Sequence, residues 1–221
     1  MPNLFAVNTA HINGSADNPV IVRIAVGSPL SAPALSVFHD WSSLIPDYAV
    51  IQYLMDVVGT TTQRIPISSW QGTLQVDRSS YLQAVIPSCG QYLDFLNGQT
   101  SPDFVIYRRA EFDGQVFTQE MARSVLTSTS ISRGATNHTA TLSGYEANFI
   151  TLAASTITTR TLEGIQTLTT YNGGMRARCS LDWFLRPGQK AIADGSEFTA
   201  SYINYIVNET SAYMDVGASQ L

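Results

Sequence analysis

Three histidines, two cysteines and seventeen Asp and Glu are the side chains able to move protons, attack carbonyls or hold a metal in this chain. His11, His39 and His138 fall in three separate segments, and none has a second histidine or a cysteine at the spacing a zinc site needs. His39-Asp40, with Ser36, Ser42 and Ser43 nearby, is the one adjacent pair that suggests a nucleophile and its base. The Gly-x-Ser-x-Gly turn is absent, however, and such triads are defined by geometry; the plain alternative is a loop residue. Glycoside cleavage needs two carboxylates flanking one bond, and Asp103, Glu111, Asp113, Glu120, Asp182 and Asp194 offer many pairs with nothing to prefer one. Cys89 and Cys179 are weak evidence for a bridge in a reducing compartment, and Cys179 reads as a small core residue. No catalytic, cofactor-binding or metal-ligating residue is therefore assigned, and a non-enzyme is expected.

The elements that would position any site are strands. Met175, Ala177, Cys179 and Leu181 alternate with Arg176, Arg178, Ser180 and Asp182, the period of a half-buried strand with its charges outward. Pro187-Gly188 ends that run, Asp194-Gly195 marks a hairpin, and residues 198–207 and 212–216 read as two closing strands. Upstream, Trp70, Gly72, Leu74 and Val76 alternate with Gln71, Thr73, Gln75 and Asp77, and Arg78-Ser79-Ser80 reads as the following turn. Asp113-Gly114 and Arg133-Gly134 mark two further hairpins, and residues 91–97, closed by Gly98, carry the spacing of one short helix. The expected fold is all-β: two small antiparallel β-barrel or sandwich domains, residues 47–147 and 148–221, behind an N-terminal arm, residues 1–46, with one strand at 20–26. The arm holds Phe5, Phe38 and Trp41, too apolar to stay in water. It is either a poorly ordered terminus or, the preferred reading, a strap lying on a neighbouring subunit.

Composition narrows the function classes. The chain is 44% hydrophobic and only 13% charged, about half the usual charged share, so Ser, Thr, Asn and Gln must cover much of the surface. Lys190 is the single lysine against eleven arginines. Arginine is favoured at interfaces and lysine depleted there, although biased base composition explains the same count. A net charge of −5, with no basic cluster interleaved by aromatics, excludes sequence-specific nucleic-acid binding, and no apolar run reaches bilayer length. Arg176, Arg178 and Asp182 are candidate interface residues, with a solvated strand face as the alternative. Trp183-Phe184 breaks the alternation before a turn, so one of the two is expected at the surface, where a subunit or a sugar would meet it.

Two stretches carry a resemblance. Ile67-Ser68-Ser69-Trp70-Gln71-Gly72-Thr73-Leu74, continuing through Ser80-Tyr81-Leu82-Gln83 to Val85-Ile86-Pro87, resembles the first barrel of tail-tip and baseplate proteins of long-tailed bacteriophages. Arg176-Ala177-Arg178-Cys179-Ser180-Leu181-Asp182, with Leu185-Arg186-Pro187-Gly188 and Met214-Asp215-Val216, is similar to the C-terminal barrel of that group, and Leu142-Ser143-Gly144-Tyr145 to its linking hairpin. The resemblance implies two hub-type barrels side by side and a homo-oligomeric ring of three-fold or six-fold symmetry around a tail channel. It implies contacts with other tail proteins (tail tube, tape measure, central hub or fibre proteins) and a place in the virion tail after assembly in the host cytoplasm. The alternative from another class is a β-sandwich carbohydrate- or receptor-binding module.

Overall fold

The computed structural model of the chain describes residues 5–6, 23–24, 49–134, 138–149, 159–171 and 174–218. Of the arm it describes β1 (Phe5–Ala6) and β2 (Arg23–Ile24), which pair antiparallel. Phe38, Trp41, His11 and the His39-Asp40 pair lie outside the described residues.

The fold is all-β with one short helix. The first part of the chain runs through β3 (Val50–Val58), β4 (Thr62–Pro66), β5 (Ser69–Gln75) and β6 (Arg78–Ile86). A 3-10 turn at Cys89–Tyr92 leads into α1 (Leu93–Asn97), followed by β7 (Asp103–Phe112), β8 (Gln115–Val125), β9 (Ser128–Arg133), β10 (His138–Tyr145) and β11 (Asn148–Phe149). The remainder supplies β12 (Thr159–Thr161), β13 (Thr167–Tyr171), β14 (Gly174–Cys179), β15 (Lys190–Ala193), β16 (Ser196–Thr199), β17 (Tyr202–Asn208) and β18 (Ala212–Gly217). Pro87 follows β6 and stops its pairing, having no N–H to give.

These strands make an eight-stranded sheet in the order β13-β14-β18-β17-β5-β6-β10-β9, a five-stranded sheet β11-β8-β7-β3-β4 and a three-stranded sheet β12-β15-β16. The eight-stranded sheet draws strands from both sides of the expected division at residue 147: β17 pairs with β5 along seven residues, from Tyr202↔Gln75 to Asn208↔Ser69. The two larger sheets meet in a single buried cluster, with Met55, Val57, Phe104 and Ile106 from one and Trp70, Leu82, Leu142, Ile203 and Tyr205 from the other. Gly72 is needed there, because a Cβ on it would run into the Phe149 ring of β11.

Three local expectations change. The turn after β5 is Val76-Asp77, two residues earlier than expected, because Asp77 takes the left-handed conformation (φ 57°), which frees Arg78 to start β6. The long strand expected over 198–207 is two strands in different sheets. Ala200 and Ser201 make the crossing, Ala200 bonding back to Gln189 O and Ser201 to Gly217 O. Among the described residues pairing is antiparallel except between β12 and β15, which run parallel. At Asp113-Gly114 and Asp194-Gly195 both turn residues have φ between 47° and 75°, the double left-handed form that twists with the strands it joins.

Candidate interaction face

The inward side of the eight-stranded sheet is set by alternation. Along β5, Trp70, Gly72 and Leu74 are buried between half-buried Ser69, Gln71, Thr73 and Gln75, and β6 and β17 repeat the pattern with Leu82-Ala84-Ile86 and Ile203-Tyr205-Val207. The outward side is consequently defined residue by residue through the register. One row crosses seven strands as Tyr145, Tyr81, Thr73, Asn204, Asp215, Arg178 and Thr167. The next row runs Ser128, Ser143, Gln83, Gln71, Ile206 and Tyr213.

From β10 to β17 these rows carry no charge. Their polar groups bond sideways to each other: Gln71 Nε2 donates to Asn204 Oδ1 at 3.0 Å, Thr73 Oγ1 donates to the same oxygen at 3.0 Å, and the Tyr81 hydroxyl donates to Ser143 Oγ at 3.0 Å. Tyr145, 58% exposed, lays its ring 5.2 Å from that of Tyr81. Side chains already satisfied by neighbours shed their remaining water cheaply when something covers them.

Charge enters the face at β18 and β14. Asp215 is 3% exposed and accepts two hydrogen bonds from Arg178 (Nε to Oδ1 2.9 Å, Nη2 to Oδ2 3.1 Å) and one from Arg176 (Nη2 to Oδ2 2.9 Å). Burial alone would raise the Asp215 carboxyl, and the bonds from Arg178 and Arg176 outweigh it, holding the pKa below the usual carboxylate value. Arg178 also lies over the Tyr213 ring at 4.3 Å from its centroid, a second contact that holds the guanidinium in place. The outward placement of Arg176 and Arg178 agrees with the alternation, whereas their acidic partner, Asp215, is one that alternation on β14 had no means to indicate.

The other expected site residues are placed differently. Asp182 pairs with Arg160 through Nε and accepts the Phe184 N–H at 2.9 Å, so it closes its own turn and is not shared with Arg176 or Arg178 of this chain. Trp183 is 3% exposed: its ring stacks on Trp70 at 6.0 Å and meets Tyr205 at 4.7 Å, so the hydrophobic core, not a contact surface, holds it. Phe184 is the half-buried member of that pair, with Arg160 5.3 Å over its ring. For Phe5 the backbone is a strand residue.

The outward side of the five-stranded sheet is built on ion pairs. Arg64 clamps Asp56 with two bonds of 2.7 and 2.9 Å, Arg123 holds Glu120 at 3.1 Å and approaches Asp103 at 3.5 Å, and Arg109 reaches Glu111 at 2.7 Å. Asp103, Glu111 and Glu120, carboxylates considered for hydrolysis, are thus tied to arginines, and Asp113 and Asp194 sit in hairpin turns. Among the described residues no three His, Cys, Asp or Glu side chains converge as a metal site would require. Both cysteines are buried and free, and burial, helped by Asp182 and Asp215, pushes the Cys179 thiol up to about 12. Among the described residues no helix is long and apolar enough to cross a membrane.

No protein-family model matches the chain, and no curated protein matches it in sequence. Solved structures align with part of the chain. A tail protein from Neisseria meningitidis MC58 aligns at TM-score 0.46 and 8% identity, over 75% of this chain and 95% of that one. An E. coli component of the type VI secretion system, described as structurally similar to T4 bacteriophage tail proteins, aligns at 0.45 and 9%, over 78% and 76%. The 43 kDa tail protein of prophage MuSo2 from Shewanella oneidensis aligns at 0.48 and 6%, over 76% and 98%.

Proposed function

We propose that the chain is a non-enzymatic structural subunit of a bacteriophage tail tip or baseplate, whose copies close a ring around the tail channel and link the tail tube to receptor-binding parts. The observation that carries the reading is the uncharged outward face of β10, β6, β5 and β17, side chains bonded to each other, in a protein whose other large sheet face is laced with ion pairs. A surface to be covered by a sister copy must lose water at low cost, and an amide and hydroxyl face does so. The resemblance of the segments around Trp70 and Arg178 to tail-tip barrels points to the same class. The neighbouring tail proteins, all below 0.5 in TM-score, add no weight.

Residues 1–46 would then serve as the strap, residues 47–147 and 148–221 as two barrels leaning on a common sheet, and Arg176 and Arg178 as contacts at the charged end of the face. Partners would be sister copies in three-fold or six-fold closure, together with tail-tube, tape-measure, hub or fibre proteins of the virion, after assembly in the host cytoplasm. A ring of this kind needs two different surfaces per copy.

Light scattering on size-exclusion fractions, followed by negative-stain imaging, tests the reading. Annular particles are the expected result, and Thr73→Lys, a charge placed mid-face, should return them to monomers that keep the wild-type melting temperature. Wild-type protein that remains monomeric at the highest soluble concentration overturns the ring. One observation favours the carbohydrate-binding alternative, the exposed Tyr145 beside Tyr81. Glycan binding by a monomer, lost in Tyr145→Ala, would replace the ring reading by that one.

A further inference from the structure

At one end of the space between the two larger sheets the chain leaves an open cavity of about 700 Å³, within the size range of small-molecule sites. Its walls come from the start of β3, the β4–β5 connection, β7 and the β17–β18 turn, and the apolar part is Ile51, Leu54, Ile67, Leu181 and Val207. Two polar groups in this wall lack partners. Arg108 is 9% exposed, and its Nε and Nη1 are buried with no hydrogen bond among the described residues. The indole N–H of Trp70, 2% exposed, is in the same condition.

Arg108 is on the inward side because β7 alternates Phe104, Ile106, Arg108 and Ala110 toward the core. An inward arginine without a counter-charge leaves its donors unmet, at a cost to the fold, unless an acceptor is supplied. The described residues supply little. Tyr53 faces Arg108 in register across β3 and Gln119 across β8, and Gln119 Oε1 is itself without a partner. A water bridging Gln119 to the guanidinium would still leave another Arg108 donor and the Trp70 N–H open. Tyr53 is held neutral, burial raising its hydroxyl and Arg108 only partly opposing that.

We propose that this cavity binds a small monocarboxylate carried on an apolar body, with the carboxylate in the fork of Arg108 and beside the Trp70 N–H. A planar two-oxygen anion matches the guanidinium edge, and the aliphatic and aromatic wall takes the rest of the ligand. Glu209, exposed on the β17–β18 turn, is the acidic residue of the lining, and its charge disfavours multiply charged anions more than a monocarboxylate. The pocket is independent of ring formation and stands whether or not the chain assembles.

Thermal unfolding of the full chain with 3-phenylpropionate tests it, using 3-phenylpropionamide as the uncharged isostere and inorganic phosphate as the multiply charged oxyanion. The expected result is a melting temperature that climbs with the logarithm of phenylpropionate concentration and stays level with the amide and with phosphate. Arg108→Leu should abolish the rise. Trp70→Phe, which keeps a ring against Trp183 and removes the N–H together with the second ring of the indole, should shift the dose–response several-fold to higher concentration, and it carries the test if Arg108→Leu fails to fold. An equal rise with the amide, no rise with phenylpropionate, or an undiminished rise in a folded Arg108→Leu protein overturns the proposal.

Discussion

The outward faces of the eight-stranded and five-stranded sheets rest on one core yet are finished in opposite ways. On the five-stranded sheet arginines and carboxylates pair along and across strands, with Arg64 and Arg123 each about half exposed. On the eight-stranded sheet Gln71, Thr73, Asn204, Tyr81 and Ser143 pair without charge, and the ions gather at Asp215. An exposed ion pair keeps its water and contributes about 0–1 kcal/mol. A satisfied amide ladder exposes few groups that demand water. The difference teaches that one inner pattern can carry two outer chemistries: ion pairs suit a face left in solvent, and the uncharged ladder suits the covered face of the proposed assembly.

The largest expected effect is one both faces share. Trp183→Ala empties the space between Trp70 and Tyr205 beneath the eight-stranded sheet and should cost about 3–5 kcal/mol in urea unfolding. A loss below about 1 kcal/mol would show that the two sheets do not depend on a common interior. Gly72→Val presses on Phe149, where β5 and β11 come together, and should cost about 1–3 kcal/mol by the same assay. Asp215→Asn breaks the comparison at its charged end. It weakens three bonds to a residue 3% exposed, with an expected loss of about 1–3 kcal/mol. The sign with pH follows from the lowered pKa: Asp215 contributes stability above the unfolded carboxyl value near 3.9, and that part fades as pH falls through the lower folded value. Urea midpoints taken from pH 6 down to pH 2 should therefore drop less steeply for Asp215→Asn than for the wild type.

Arg64→Ala, on the five-stranded face, should change stability by less than about 1 kcal/mol and leave assembly untouched, in contrast to Thr73→Lys. The smallest effect is a null one. With its thiol pushed up to about 12, Cys179 should not react with a thiol-titrating disulfide at pH 8 until denaturant is added, and prompt labelling of Cys179 would show that the wall under β14 opens.

Local pattern made part of this legible. The alternation over Trp70–Leu74 and Ala177–Cys179 was readable because each strand has one wet side, and Asp113-Gly114 and Asp194-Gly195 because only certain residues tolerate positive φ. What could not be read is partnership. Nothing near Thr73 names Asn204 as its neighbour, 131 positions away, and nothing near Arg178 names Asp215. Trp183 looked surface-bound because it breaks its strand's period, but a turn can aim an aromatic inward as well as outward. Arg108 escaped for the opposite reason, since an arginine is read as outward, yet it falls in phase with Phe104 and Ile106 on the inward side of β7.

The seam between β5 and β17 has a consequence for how the molecule is made. While the chain emerges from the ribosome, β5 waits with one edge bare until residues 202–208 have been synthesised, more than a hundred positions later. Such distant pairing slows closure. A nascent chain stalled before Tyr202 offers an open ladder to any passing strand, an exposure that pairing with β17 closes in the finished molecule.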